Sequence, residues 1–388
     1  MNIGVFIGDI PQEEGGGFTF QESIVNSIYM NSSPNRHFVV FHYGAVKNRI
    51  TTPNIKYHEL KRNSFFSKAF QKLKSFRRPF LIETPLEIQC KAFDIDLVWF
   101  PSYYFENISF PFIYTIWDLQ HRLQPLFPEL LENNKVISRD LYLKNILLKA
   151  SYVLTGTERG KSEIIGFYNV HPDRIKLLPH PTPFYVYRTS DAIIEKVNYK
   201  EPFLFYPAQF WSHKNHIVIL LALKYLADTY GASFVPKVYF VGSEKNTKNY
   251  IQDKVMEFGL SEKVVFLGFV SNAQLVGLYK NATALIYSSL FGPENLPPLE
   301  AFAFGCPAIV SDVPGSTEQY QDAVLYFERF NEVDLASKIK ELIENKLLRD
   351  SLITKGKVLS EFYSLHNYQL KMEEIFAEYE LYLRCWKS

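Results

Sequence analysis

The stretch FGPENLPPLEAFAFGCPAIVSDVPG, residues 291–315, holds two glutamates, Glu294 and Glu300, six positions apart among three prolines and a glycine. A glycosidase-type acid/base pair needs a set separation between its two carboxyls. Nothing here fixes one, because Glu294 sits on a loop before the prolines. Pro297 and Pro298 suit the first positions of a helix, LEAFAF continues it, and Gly305 ends it. Glu300 is thereby expected in the first helical turn, where the helix dipole favours a carboxylate that can accept hydrogen bonds from ligand hydroxyls. The amides of Asn295 and Leu296 face the same space and suit an anion or the oxygens of a sugar. Glu300 also reads as a helix-start charge that meets no ligand.

Other segments carry chemistry-bearing residues at the ends of apolar runs. YPAQFWSHKNH, residues 206–216, opens a helix near Lys214, a compact cation suited to a diphosphate. His213 and His216 stand beside it, and histidines at such a place read equally as structural. GGGFTF, with Gly15, Gly16 and Gly17, permits close backbone approach or a flexible turn, and does not have the GxGxxG dinucleotide spacing. IWDLQHRLQPLFPE, residues 116–129, brings Asp118, His121 and Arg122 to the end of another run. A nucleophilic triad would need a Ser or Cys partner that the sequence does not offer. His121 reads as a cleft residue or as a partner of Asp118. DID, residues 94–96, suggests a metal, but it directly precedes the buried run LVWFP and so falls at the far end of a strand from any cleft. No metal site is assigned.

These motifs need elements to hold them. IGVFI, HFVVFHY, LVWFP, FIYTIWD, YVLTGT and IKLLPH read as strands, with helical stretches such as KNILLKA and ERGKSEIIGFY between them. After a polar stretch at residues 187–202 the alternation restarts with FLFYPAQF, KVYFVGS, VVFLGF, ATALIYSS and PAIVS. Alternating strands and helices imply parallel sheets covered on both faces, hence an α/β chain of two doubly wound domains in tandem. Ligands of such sheets bind outside the carboxyl ends of the strands, and two facing domains share one cleft.

The chain has 388 residues, enough for two domains, and 47% hydrophobic residues, enough for sizeable cores. A net charge of +1 gives no global field for nucleic acid. The three widely spaced cysteines fit reduced thiols and a cytoplasmic setting. No signal peptide and no run of about 20 apolar residues is read. LKRNSFFSKAFQKLKSFRRPF, residues 60–80, has no acidic residue, and its phenylalanines share a helical face. It reads equally as a basic amphipathic helix on an anionic membrane and as an ordinary surface helix.

Residues 291–305, followed by CPAIVSDVPGSTEQ, resemble the retaining glycosyltransferases of family 4, in the branch with an FGPxNxPPLEAFAxGCPV-type segment found among bacterial cell-surface polysaccharide enzymes. The resemblance implies the GT-B fold: two Rossmann-like domains, 1–190 for the acceptor and 200–367 for the nucleotide sugar, with 368–388 crossing back to the first. It assigns Glu300 to the nucleotide ribose. Gly292 stands where the family has a second glutamate, with Glu294 as a partial replacement and the backbone of Gly292, Pro293, Asn295 and Leu296 holding the donor sugar. Lys214 matches the family's phosphate lysine, while Gln209 stands where the family has arginine. Gly16 and Gly17 match the glycine loop near the donor phosphate, and His121 the histidine near the reacting sugar. The implied reaction is metal-independent and uses no cofactor, with a nucleotide sugar (GDP-mannose) as donor and a glycan or lipid-linked saccharide as acceptor. Two rival readings are a sugar-nucleotide epimerase of the same architecture and a non-catalytic partner of a transferase.

Overall fold

The computed structural model describes residues 1–11, 15–30, 35–44, 52–61, 83–195 and 197–387. The proposed membrane segment at 60–80 lies outside the described residues save its first two positions. Among the described residues no helix is long and apolar enough to cross a membrane.

The first sheet contains β1 (Asn2–Ile7), β2 (His37–His42), β3 (Ile55–Glu59), β4 (Leu97–Phe100), β5 (Phe112–Thr115), β6 (Tyr152–Thr155) and β7 (Ile175–Leu177). Its order is β3-β2-β1-β4-β5-β6-β7, and every pair is parallel. The second sheet contains β8 (Phe203–Pro207), β9 (Lys237–Val241), β10 (Val264–Gly268), β11 (Ala284–Tyr287), β12 (Ala308–Ser311) and β13 (Leu325–Phe327). Its order, β10-β9-β8-β11-β12-β13, repeats the first, again all parallel.

The apolar runs form strands because both of their faces are covered. In β1, Ile3, Val5 and Ile7 belong to one core cluster and Phe6 to the other. In β4, Leu97 and Trp99 take the first face, Val98 and Phe100 the second. In each sheet the order reverses beside the first strand, between β1 and β4 and between β8 and β11. Chains leaving the strand ends there diverge and open a crevice. The glycine loop leaves β1, residues 208–214 leave β8, and residues 288–295 leave β11.

The last helix, Leu365–Leu383, buries Met372, Ile375, Phe376 and Tyr379 in the N-terminal core with Ile3, Phe20 and Trp99. Arg36 pairs with Glu373 and Glu380, and Lys176 with Glu378. Beyond the helix, Lys387 reaches Asp94 and Asp96 of the DID segment, whose Asp96 also accepts from the Asn2 amide (2.7 Å). Those carboxylates lie at the start of β4, away from the cleft, and protein groups occupy them.

Candidate active site

A cavity of about 440 Å³ lies between the two sheets, lined from one side by residues 15–20, Trp117, Asp118 and His180 and from the other by Gln209, Lys214, Ser243 and residues 291–297. Every lining segment follows the carboxyl end of a strand.

Lys214 lies in a one-turn 3-10 segment, Ser212–Lys214, directly after β8. Its Nζ donates to Tyr287 Oη (2.9 Å) and Ser289 Oγ (3.5 Å), and it lies 5.2 Å from the Tyr287 ring centroid. Among the described residues it meets no carboxylate. Tyr287 Oη donates to Asn295 Oδ1 (2.7 Å), and Asn295 Nδ2 donates to the Gly292 carbonyl (2.9 Å). A chain of hydrogen bonds therefore links the ammonium to the turn at Gly292. Gly292 has φ of +106°, where an L side chain is strained, and a Cβ there would crowd the Asn295 amide at 2.8 Å. Gly292 thus serves a turn that Asn295 locks. Asn295 also caps this turn from outside: its amide donates to Gln319 Oε1 (2.9 Å). That corrects the expectation that this N–H faces the cleft unused.

Glu294 and Glu300 part company. Glu294 lines the cavity, and its carboxylate crosses to the N-terminal domain, where Oε1 accepts from the His180 amide (2.7 Å) and the Gly156 amide also donates to it. A Cβ on Gly156 would overlap that carboxylate, so only glycine fits beneath it. Burial pushes Glu294 up to about 8, against the pull of the two amides. The helix Leu296–Phe304 begins at Leu296, so Glu300 is its fifth residue rather than part of its first turn. The structure also removes Glu300 from the cleft lining: Tyr279 donates to its Oε2, Tyr185 lies against it, and burial raises it to about 7. The dipole's preference for a charged carboxylate, worth about 0.3–1 kcal/mol, loses here to desolvation. Gly305 ends the helix with φ of +68°.

His121 is also placed differently from its expected position. The short helix Gln120–Leu123 turns it away from Lys214 and into a second cavity of the N-terminal domain. Its Nε2 is 3.1 Å from Tyr168 Oη, not bonded to Asp118, and burial holds it down at about 4. Asp118 lines both cavities and pairs with Arg139 (3.1 Å). Burial would raise Asp118, but Arg139 and the Gln120 amide hold it below its usual range. Gly16 and Gly17 open the helix Gly16–Met30 on the N-terminal wall; Gln209 faces Gly15 across the cleft and accepts from Trp211 Nε1 (2.9 Å). His216 packs flat on Phe210 with ring centroids 4.4 Å apart, in the core rather than the cleft.

Two more carboxylates join the domains without a signal in the sequence motifs. Glu129 Oε1 accepts from the amide of His213 (3.1 Å) and from its Nδ1 (2.6 Å). Burial lowers His213 to about 4; Glu129, which burial alone would raise, is held at about 2 by His213. The pair is thus a neutral imidazole donating to a carboxylate. Glu318 accepts from the amides of Glu158 (2.7 Å) and Arg159 (3.0 Å), at the start of the helix Glu158–Tyr168. Each of these residues follows a strand's carboxyl end, and that rule is the signal that could have found them. Among the described residues no three His, Cys, Asp or Glu side chains converge as a metal site.

Residues 188–358 match the family model described as glycosyl transferases group 1. Over 222 residues the chain is 30% identical to the O-antigen chain mannosyltransferase RfbU of Salmonella typhimurium, covering 57% of this chain and 59% of that one. It is 25% identical over 195 residues to the uncharacterized glycosyltransferase MJ1607 of Methanocaldococcus jannaschii, covering 48% of each. The chain therefore spans about half the length of the curated relatives it matches. Sucrose-phosphate synthase from Thermosynechococcus elongatus has the same fold over 98% of this chain and 99% of its own, with a TM-score of 0.73 at 16% identity. HepE of Anabaena, solved with UDP and glucose, gives 0.68 at 15% identity, over 96% of this chain and 99% of its own. The fold is GT-B, two Rossmann-like domains across a cleft.

Proposed function

We propose that this chain is a retaining, metal-independent glycosyltransferase that moves mannose from a nucleotide sugar to a hydroxyl of a glycan or lipid-linked saccharide. The observation that carries the reading is Lys214: a cation at the carboxyl end of β8, facing the glycine loop, with hydroxyls and, among the described residues, no carboxylate around it. A departing diphosphate gains negative charge as the glycosidic bond breaks, and a cation waiting there stabilises that charge more than the ground state. In this reading Gln209 and the glycine loop border the phosphates, and the 292–296 turn borders the sugar. The acceptor oxygen attacks from the N-terminal side. Mannose and GDP-mannose rest on the likeness to RfbU and are the finest part of the proposal. An epimerase would need an unoccupied acid/base carboxylate in the cleft, whereas Glu294 is committed to two backbone amides.

The test is a melting-temperature panel with GDP, UDP, dTDP and ADP, followed by transfer assays with the matching sugar donors in EDTA. A ligand bound only by the folded state raises the midpoint. GDP is expected to give the largest rise, and turnover is expected to survive EDTA. No rise with any nucleotide overturns the glycosyltransferase reading; a larger rise with UDP overturns the mannose assignment alone.

A further inference from the structure

We propose that the second cavity, walled by Tyr103, Trp117, His121, Arg139 and Tyr142, is a saccharide subsite that holds an acceptor sugar unit beyond the one that reacts. The inference rests on the glycosyltransferase reading and adds to it where the acceptor lies and what kind of chemistry it presents. The cavity measures about 660 Å³ and lies wholly within the N-terminal domain. That is within the range of about 300–1,000 Å³ usual for small-molecule sites. Trp117 and Asp118 line both this cavity and the cleft, so an extended ligand passes from one to the other around the indole. The indole is fixed in place: its Nε1 donates to the Pro101 carbonyl (3.2 Å), and its edge meets Tyr103 at 5.7 Å. Tyr103 and Tyr142 are exposed although they are large aromatics, and their faces suit the C–H faces of a pyranose.

His121 identifies the class of ligand. It is 1% exposed and lines the cavity, and among the described residues its Nδ1 has no partner. Its tautomer follows from its neighbours. The single hydroxyl hydrogen of Tyr168 goes to Asp140 Oδ1 (3.0 Å), so Tyr168 Oη accepts from His121 Nε2–H. A neutral imidazole with Nε2 protonated leaves a lone pair on Nδ1. A buried acceptor without a donor is costly, by about 1–3 kcal/mol. A hydrocarbon chain leaves that cost in place, and an anion would face a lone pair. The nearby cations do not call for an anion either: Arg139 is bound to Asp118, and Lys135 donates to the Glu129 carbonyl and Glu132. A neutral hydroxyl donor between aromatic faces satisfies the site, and a sugar ring supplies both.

Ligand-observed saturation-transfer NMR tests this, with the nucleotide from the melting panel saturating the cleft. The probes are methyl glycosides of mannose, galactose and N-acetylglucosamine, the disaccharides mannobiose and lactose, and farnesol as the apolar comparison. At least one saccharide is expected to receive saturation from the wild-type protein. His121→Phe is expected to weaken its binding by about tenfold, the worth of one buried hydrogen bond. Ser138→Trp, on the exposed side of the helix Lys135–Lys149 at the cavity's rim, fills the space without disturbing the core and is expected to abolish the signal. Both variants are expected to bind nucleotide as the wild type does. If nucleotide binds and no saccharide does, if farnesol alone binds, or if the saccharide signal survives Ser138→Trp, the subsite is overturned while the transferase reading stands. If the wild type binds no nucleotide, both fall together.

Discussion

On the C-terminal wall of the cleft, Lys214 and the 292–296 turn are held by neutral groups: a tyrosine, a serine, an asparagine and a glutamine. Among the described residues no carboxylate meets the Lys214 ammonium. On the N-terminal wall and along the seam, carboxyl groups are committed to protein: the charged Asp118 to Arg139, the charged Glu129 to His213, and Glu294, which burial raises to about 8, to the amides of Gly156 and His180. Neutral support keeps a cation's field available, whereas a carboxylate in hydrogen-bond contact would cancel most of it. The difference separates a wall whose described cation keeps its field from a wall whose carboxyl groups are held within the protein.

The largest effect expected from that difference falls on Lys214. Lys214→Ala should lower kcat/KM by about 10²-fold or more, the usual loss for one electrostatic contact made chiefly in the transition state. Tyr287→Phe keeps the ring beneath the ammonium but removes the link to Asn295, and should cost about tenfold, the scale of one hydrogen bond to a charged group. Steady-state rates against donor concentration check both. A loss below threefold for Lys214→Ala in a folded protein would break the comparison at its centre.

Next in size are the groups that cross the seam. Glu129→Gln leaves His213 a poorer acceptor, and the donor KM should rise by about tenfold as closure weakens. The two kinds of buried group also predict opposite limbs of the stability profile. His213 and Glu129 sit below their unfolded values of 6.5 and 4.5, at about 4 and about 2. The stability they contribute is present above those unfolded values and is lost as pH falls through 6.5 towards 2. Glu294 sits above 4.5, at about 8. Its contribution is present below 4.5 and is lost as pH rises through 8. Melting midpoints from pH 4 to 9 should therefore fall at both ends. His213→Gln should flatten the acid limb and Glu294→Gln the alkaline one. A profile changed at the same end by both variants would contradict the assignment.

Much of this wall-building was legible in the sequence, and the rest was not for identifiable reasons. Continuous runs such as LVWFP could be read as buried strands because parallel strands are covered on both faces, and Gly305 could be read as a helix end because few other residues adopt its φ. The loops that carry Lys214, Asp118 and Glu294 followed from strand ends alone. Partners across the seam did not follow. Glu129 and His213 are 84 positions apart and Glu294 and His180 114, and no local periodicity links residues at such separations. His121 went astray because the direction of a four-residue helix is set by what it packs on, here Tyr168, rather than by its own sequence. Glu300 is displaced by one residue of helix phase: the helix starts at Leu296, before the two prolines, and its carboxyl lies against Tyr279 and Tyr185 in the core.

Glu300 also gives the smallest expected effect on activity and the sharpest test of the seam against the core. It lies six residues from Glu294 and is buried too, yet its contacts are Tyr279 and Tyr185 rather than the opposite wall. Burial holds it near 7, so at neutral pH much of it is already protonated. Glu300→Gln keeps its shape and its hydrogen-bonding reach while removing the charge that has to be desolvated. The donor KM at pH 7 should change by less than about threefold, the scale of a substitution that leaves a site's contacts alone. Stability should change with a definite sign. In the wild type the contribution of Glu300 is present below its unfolded value of 4.5 and is lost as pH rises through 7, because the folded state binds the extra proton. The variant has no such proton to lose, so its midpoint should fall less between pH 5 and pH 8. Calorimetric titration of nucleotide and melting curves at pH 5, 6, 7 and 8 measure both quantities on one preparation. A tenfold loss of nucleotide affinity at an unchanged melting profile would return Glu300 to the ligand, and with it the ribose role that the family resemblance implies. An unchanged affinity with a flattened profile leaves it in the core, where its neighbours place it.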